Sequence, residues 1–119
     1  MQEQELSSPD VNELNRIKTI LMLYEGASNF TKIARKKMEV GDSIGRSHYI
    51  GKTSAIIREL SNSLTMDGGD ISRNLRNLYD FVHGCLHKAE TQNDTKALDE
   101  AEKVIEILRS AWKELSSKN

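Results

Sequence analysis

His83 and His87 stand four residues apart, a spacing that lets both imidazoles reach one metal ion from a single helix. Asp80, three residues before His83, extends the pattern toward half of a carboxylate-bundle di-metal site. Such a site needs a second acid–histidine pair and two further glutamates. The chain has no second pair, and its third histidine, His48, stands alone. Cys85 lies about 200° round the helix from His83, and so points away from both imidazoles. Two polar-face histidines and one small core residue are the simpler reading, and no metal or cofactor is expected.

His48-Tyr49-Ile50-Gly51-Lys52 carries a different chemistry. Histidine phosphotransfer domains are helical bundles of this size in which Lys and then Gly follow the reactive histidine. Here the glycine precedes the lysine, so a surface histidine is the leading interpretation and phosphotransfer at His48 the alternative. Asp67-Gly68-Gly69-Asp70 offers too few oxygen ligands for a calcium loop and reads as a turn. No glycine-rich phosphate loop and no activated nucleophile is recognisable, which points away from an enzyme.

The elements that would position these side chains are four helices. Asp10 is placed to cap a first helix running to about residue 40, where Gly41-Asp42-Ser43 ends it and caps the next. A second helix covers about 43–64 and ends near paired glycines suited to a left-handed turn. Asp70 then caps a third, over about 70–91, and Gln92-Asn93-Asp94 separates it from a fourth over about 94–116. Residues 1–9 form a flexible lead-in to a single 1–119 domain. The third helix carries one apolar stripe, Ile71, Leu75, Leu78, Val82, Leu86 and Ala89. The fourth carries another, Leu98, Ala101, Val104, Ile105, Leu108, Ala111, Trp112 and Leu115. Short links between such helices give an all-α, antiparallel four-helix bundle. The first helix differs, because Ile20-Leu21-Met22-Leu23-Tyr24 is apolar all the way round. It is either central, with three neighbours, or offers one face to a partner helix. Gly26 and Ala27 would let another backbone come close.

Composition agrees with this architecture. Of 119 residues, 5% are aromatic and one is proline, which disfavours a loop-rich β-domain. The single cysteine cannot form an internal disulfide, no apolar run approaches the ~20 residues of a membrane span, and the acidic start lacks the form of a signal peptide. A cytoplasmic protein is expected, without membrane insertion. The charge divides into −4 over residues 1–15, +6 over 16–58 and −3 over 59–119. Basic residues Lys32, Arg35, Lys36 and Lys37 close the first helix, while Asp94, Asp99, Glu100 and Glu102 open the fourth, as helix dipoles favour. No nucleic-acid partner is needed to explain that asymmetry.

In order along the chain, LMLYEGA (21–27), YIGKTSAIIRELSNSL (49–64), GGDISRNLRNLYDF (68–81) and ILRSAWKEL (107–115) resemble the flagellin-specific export chaperones, the FliS family. The first is similar to that family's Leu-Tyr-Asp-Gly-Ala signature, and the last to its Leu-Arg-x-Ala-Trp element. Two departures stand out. Thr65 follows Leu64 where the family usually has Asp, and residues 1–19 contain no aromatic, with Ser8-Pro9 far upstream of Tyr24. The family's use of that segment, to cover the cargo groove and contact the export gate, is therefore expected in altered form.

The resemblance implies a cytoplasmic chaperone that binds the C-terminal segment of flagellin as helices, prevents premature polymerisation and aids secretion. It implies no catalysis and no cofactor. Leu23, Tyr24, Ile57, Leu60, Leu64, Asn74, Leu75, Leu78, Tyr79 and Val82 are the residues expected to line or support the cargo groove, and Trp112 is expected in the core. The same apolar face could receive a second copy of the chain. A helical adaptor for a cargo other than flagellin is the remaining alternative.

Overall fold

The computed structural model describes residues 11–64 and 68–117. The flexible lead-in, the Asp10 cap and the Thr65-Met66-Asp67 part of the second turn lie outside the described residues. Four helices follow one another: α1 (Val11–Glu39), α2 (Ser43–Asn62), α3 (Gly69–Gln92) and α4 (Thr95–Ser117). They form an up-down-up-down bundle, elongated at 59 × 24 × 18 Å. Among the described residues no helix is long and apolar enough to cross a membrane.

α1 packs on α2 and α4, and α3 packs on the same two helices, so α1 and α3 face each other along a diagonal. Of the two placements left open for α1, the central one is thereby excluded. Among the described residues it occupies a corner with two neighbouring helices, which leave part of its all-round apolar turn uncovered. Tyr24 is buried, Ile20, Leu21 and Leu23 are half-buried, and Met22 remains 69% exposed.

Local chemistry sets the helix ends. Gly41, at φ +75°, turns the chain after α1, and Asp42 Oδ1 accepts a hydrogen bond from Gly45 N–H at 2.8 Å to cap α2. A Cβ at Gly45 would come within 2.6 Å of the other Asp42 carboxylate oxygen and 2.8 Å of Lys37 Cδ, so a side chain there would make both groups shift. Asn93 takes the left-handed conformation that ends α3, and Asp94 Oδ1 accepts from Ala97 N–H at the start of α4. Asp70 does not cap α3. Gly68 takes the cap position without a side-chain bond, which places Asp70 in the first turn, where it pairs with Arg73 at 2.8 Å. The paired glycines likewise serve the start of α3, with Gly69 at φ +67°.

The buried core lies toward the α1–α2 and α3–α4 turns. α1 contributes Tyr24, Ala27, Thr31, Ala34 and Met38, and α4 contributes Ala97, Leu98, Ala101 and Ile105. Small residues let the helices approach closely and explain how a limited apolar supply fills the interior. The buried threonines satisfy their hydroxyls locally: Thr31 donates to Ala27 O and Thr53 to Tyr49 O. Charge ties the helices together at this end. Arg35 of α1 binds Asp99 at 2.6 Å and also Glu102, while Arg46 of α2 faces Glu90 of α3 at 3.6 Å and donates to Asn93. The basic close of α1 and the acidic opening of α4 thus answer one another directly.

Candidate functional site

The dry core ends at a pair of phenols. Tyr24 on α1 and Tyr79 on α3 meet hydroxyl to hydroxyl at 2.5 Å, across the diagonal of the bundle. Burial pushes both phenols above their ordinary range. Trp112 of α4 stacks on the Tyr24 ring with centroids 6.5 Å apart. This half-buried position puts it against the core rather than inside it.

Beyond the tyrosines all four helices continue, but Leu60 of α2 is the one buried side chain there among the described residues. Residues 11–23 of α1, 69–78 of α3 and 106–117 of α4 bury none. Apolar surface gathers at this end and along its edges: Ile71 is 74% exposed, Ile107 63%, and Leu78 and Leu115 are exposed as well. Between α1 and α2 a groove of about 450 Å³ opens, lined by Arg16, Thr19, Ile20, Leu23, Glu59 and Ser63. Among the described residues the bundle is therefore closed at one end, while at the other its apolar side chains, Ile20, Leu23, Leu64, Leu75, Leu108 and Trp112 among them, are only half-buried.

The sequence-derived residues divide between these two regions. Tyr24, Ile57, Leu60, Tyr79 and Val82 are buried, while Leu23, Leu64 and Leu75 are half-buried against the core. Leu78 and Asn74 are exposed on α3. Together they run from the floor of the open end to its rim. Sequence reasoning passed over Met22, Phe81 and Ile107. Phe81 and Ile107 stand off the stripes of α3 and α4, and an apolar residue off the stripe of an otherwise amphipathic helix is the signal that would have found them. Gly26 does not await an outside backbone, because an added Cβ would lie 3.3 Å from Ile56 Cδ1, which fills the space.

The polar candidates lie elsewhere. His83 and His87 line a groove between α2 and α3 with Ser47, Ser54 and Glu90. Burial and the nearby Arg58 cation hold His83 below the usual histidine range, and Asp80 offsets only part of this. No group of three His, Cys, Asp or Glu side chains converges on a metal position among the described residues. His48 is exposed and packs edge-on against Tyr49, with ring centroids 4.9 Å apart. Lys52, the cation a phosphoryl group there would call on, sits over the Phe30 ring at 5.2 Å. Burial and the neighbouring Glu100 push the Cys85 thiol up, away from nucleophilic reactivity. On α1 and α4, Ser28 donates to Glu106, and that bond together with Arg109 holds the Glu106 carboxyl below the usual range. Apolar surface suited to receiving a helix is offered instead by the exposed Ile71, Leu78, Ile107 and Leu115 and by the Ile20 and Leu23 wall of the α1–α2 groove.

A sequence model of the flagellar protein FliS matches residues 2–119. The chain is 35% identical over 101 residues to the flagellar secretion chaperone FliS of Salmonella typhimurium, covering 83% of this chain and 75% of that one. It is 34% identical to the protein of the same name from Vibrio cholerae, over 82% of this chain and 73% of that one. The corresponding protein of Bacillus subtilis is 32% identical, over 79% and 70%.

Proposed function

Because the chain belongs to the flagellar protein FliS family, we propose that it is a secretion chaperone that holds the C-terminal segment of flagellin as helices on its apolar open end and grooves. Held there, the segment is unavailable for polymerisation in the cytoplasm and can be handed to the export gate. The observation that carries this reading is the thinly covered end beyond the Tyr24–Tyr79 pair, where, among the described residues, three of the four helices bury no side chain. Leu23, Leu64, Leu75, Leu78 and Asn74 would touch the cargo, and the buried Tyr24, Ile57, Leu60, Tyr79 and Val82 would support them.

Magnitudes constrain how the cargo sits. Burying an aliphatic side chain contributes ~1.5–3 kcal/mol, so Ile71, Leu78, Ile107 and Leu115, each already partly covered, offer on the order of 5 kcal/mol. Ordering a disordered segment costs ~2–5 kcal/mol, which removes most of that gain. A cargo held with micromolar affinity must therefore also use the side grooves, wrapping the bundle rather than only capping its end.

Titrating the purified protein with the flagellin C-terminal peptide, while following helicity by circular dichroism, tests the proposal. Saturable binding at micromolar concentration with a gain of helix is expected. A folded bundle that leaves the peptide unbound and unstructured would refute it, and would favour an adaptor for a different cargo.

A further inference from the structure

α1 and α3 run in the same direction along the diagonal of the bundle, and the hydroxyls of Tyr24 and Tyr79 set their register at an offset of 55 residues. Toward the closed end the same offset places Ala27 level with Val82, Thr31 with Leu86 and Ala34 with Ala89, all of them buried. Each of these pairs contains an alanine or a threonine, so little side chain stands between the two helices there. At Tyr24 and Tyr79 the pattern reverses. Two long side chains meet end to end, hydroxyl against hydroxyl, and fill the whole diagonal. Further out, Ile20 is level with Leu75 and Leu23 with Leu78. Neither aliphatic pair can span a gap set by two phenols. Accordingly Ile20, Leu23 and Leu75 are half-buried and Leu78 is exposed.

The pair is built to resist shortening. Both rings are inaccessible, their hydroxyls are already in contact, and Trp112 stacks on the Tyr24 ring and braces it from α4. Drawing α1 toward α3 would force the rings off their rotamers or break a hydrogen bond whose two ends have no water to turn to. Aliphatic side chains at this level would remove the obstacle. Neighbouring helix axes lie ~8–10 Å apart depending on the side chains between them, which allows the diagonal of a square bundle to change by ~3 Å.

We infer that Tyr24 and Tyr79 are positioning residues for the cargo: together they form a strut that keeps α1 and α3 apart, so that Ile20, Leu23, Leu75 and Leu78 stay open to a partner instead of closing on each other. The inference rests on the chaperone reading and gives the two buried phenols a part in binding without contact.

The test measures the diagonal and the affinity separately, in the full chain. Spin labels attached through Lys18→Cys and Arg73→Cys, exposed positions level with each other beyond the pair, report the distance between α1 and α3 once the single cysteine is removed by Cys85→Ala. Tyr24→Leu/Tyr79→Leu should shorten that distance by ~3 Å. It should also bind the flagellin C-terminal peptide ~10-fold more weakly, as expected when about a tenth of the molecules remain open. Tyr24→Phe/Tyr79→Phe keeps both rings and should keep both the distance and the affinity. Leu98→Ala, which opens a cavity in the closed core well away from the pair, should melt lower yet bind unchanged. An unshortened distance in the double leucine variant overturns the inference, as does full affinity despite shortening, or equal weakening in Leu98→Ala. Absence of binding by the unaltered protein overturns the chaperone reading instead, and the label distances tell the two failures apart. Should the double leucine variant lose its fold, Tyr79→Leu alone decides through the same two measurements, with smaller shifts in the same direction.

Discussion

Replacing either phenol of the Tyr24–Tyr79 pair with phenylalanine should expose how the closed core is finished. The two hydroxyls are hydrogen-bonded to each other at 2.5 Å, and both side chains are essentially inaccessible, at 0% and 2% exposure. Removing one hydroxyl leaves the other buried and unsatisfied, a cost of ~1–3 kcal/mol. Removing both replaces a polar pair by two apolar rings of the same shape, which is close to neutral. The single variants should therefore be clearly less stable than Tyr24→Phe/Tyr79→Phe. In a double-mutant cycle this appears as a coupling energy of roughly 1–3 kcal/mol. Urea denaturation followed by fluorescence and circular dichroism provides all four stabilities. If the double variant is less stable than either single, or each single lies within about 0.3 kcal/mol of wild type, the hydroxyls are not mutually dependent and the reasoning fails.

Three further outcomes are expected. Asp42→Ala should lower stability by ~1 kcal/mol through loss of its cap, whereas Asp70→Ala, altering an exposed group without a capping role, should fall within about 0.5 kcal/mol of wild type in the same denaturation assay. His83 is held below the usual histidine range, so the unfolded chain binds its proton more readily than the folded one. Stability should therefore fall as pH drops from about 6.5 toward the lower folded value, and His83→Gln should flatten that slope in melts across pH 5 to 8. Leu78→Asp and Ile107→Asp alter exposed side chains and should leave the fold intact, yet weaken the flagellin peptide by ~10-fold or more when affinity is measured by titration. Unchanged affinity in both would remove the open end from the cargo site.

Much of the fold is legible where one force acts alone. The stripes of α3 and α4 follow helical spacing because each helix packs on one side, and Asp42 and Asp94 announce their helices because a capping carboxylate needs only its own neighbours. Legibility ends where two solutions satisfy the same pattern. Ile20 to Tyr24 would suit a central helix with three neighbours as well as a corner helix with an unfinished side, and only packing decides between them. Asp70 illustrates a smaller ambiguity, since Gly68 and Gly69 can shift a helix start by enough to move a cap into the first turn. The candidate site was readable as a set of apolar residues, but not in its depth. Nothing in the spacing of Tyr24 and Tyr79, on helices that are not adjacent, announces that their hydroxyls meet. Nor does a period reveal which end of a long stripe will be covered.

The square arrangement of helices also governs when the protein can begin work. α1 rests between α2, its neighbour in sequence, and α4, the last of these four helices to be made. Until α4 leaves the ribosome, one flank of α1 has nothing to pack on, and Arg35 has neither Asp99 nor Glu102 to bind. Contacts that join the two ends of a chain carry the largest loop-closure cost and form late. The closed core therefore matures only after synthesis of the whole bundle, so a chain truncated within α4 should emerge as a sticky intermediate rather than as a smaller chaperone. The fourth helix is, in effect, the timing element of the fold: its arrival completes the four-helix core.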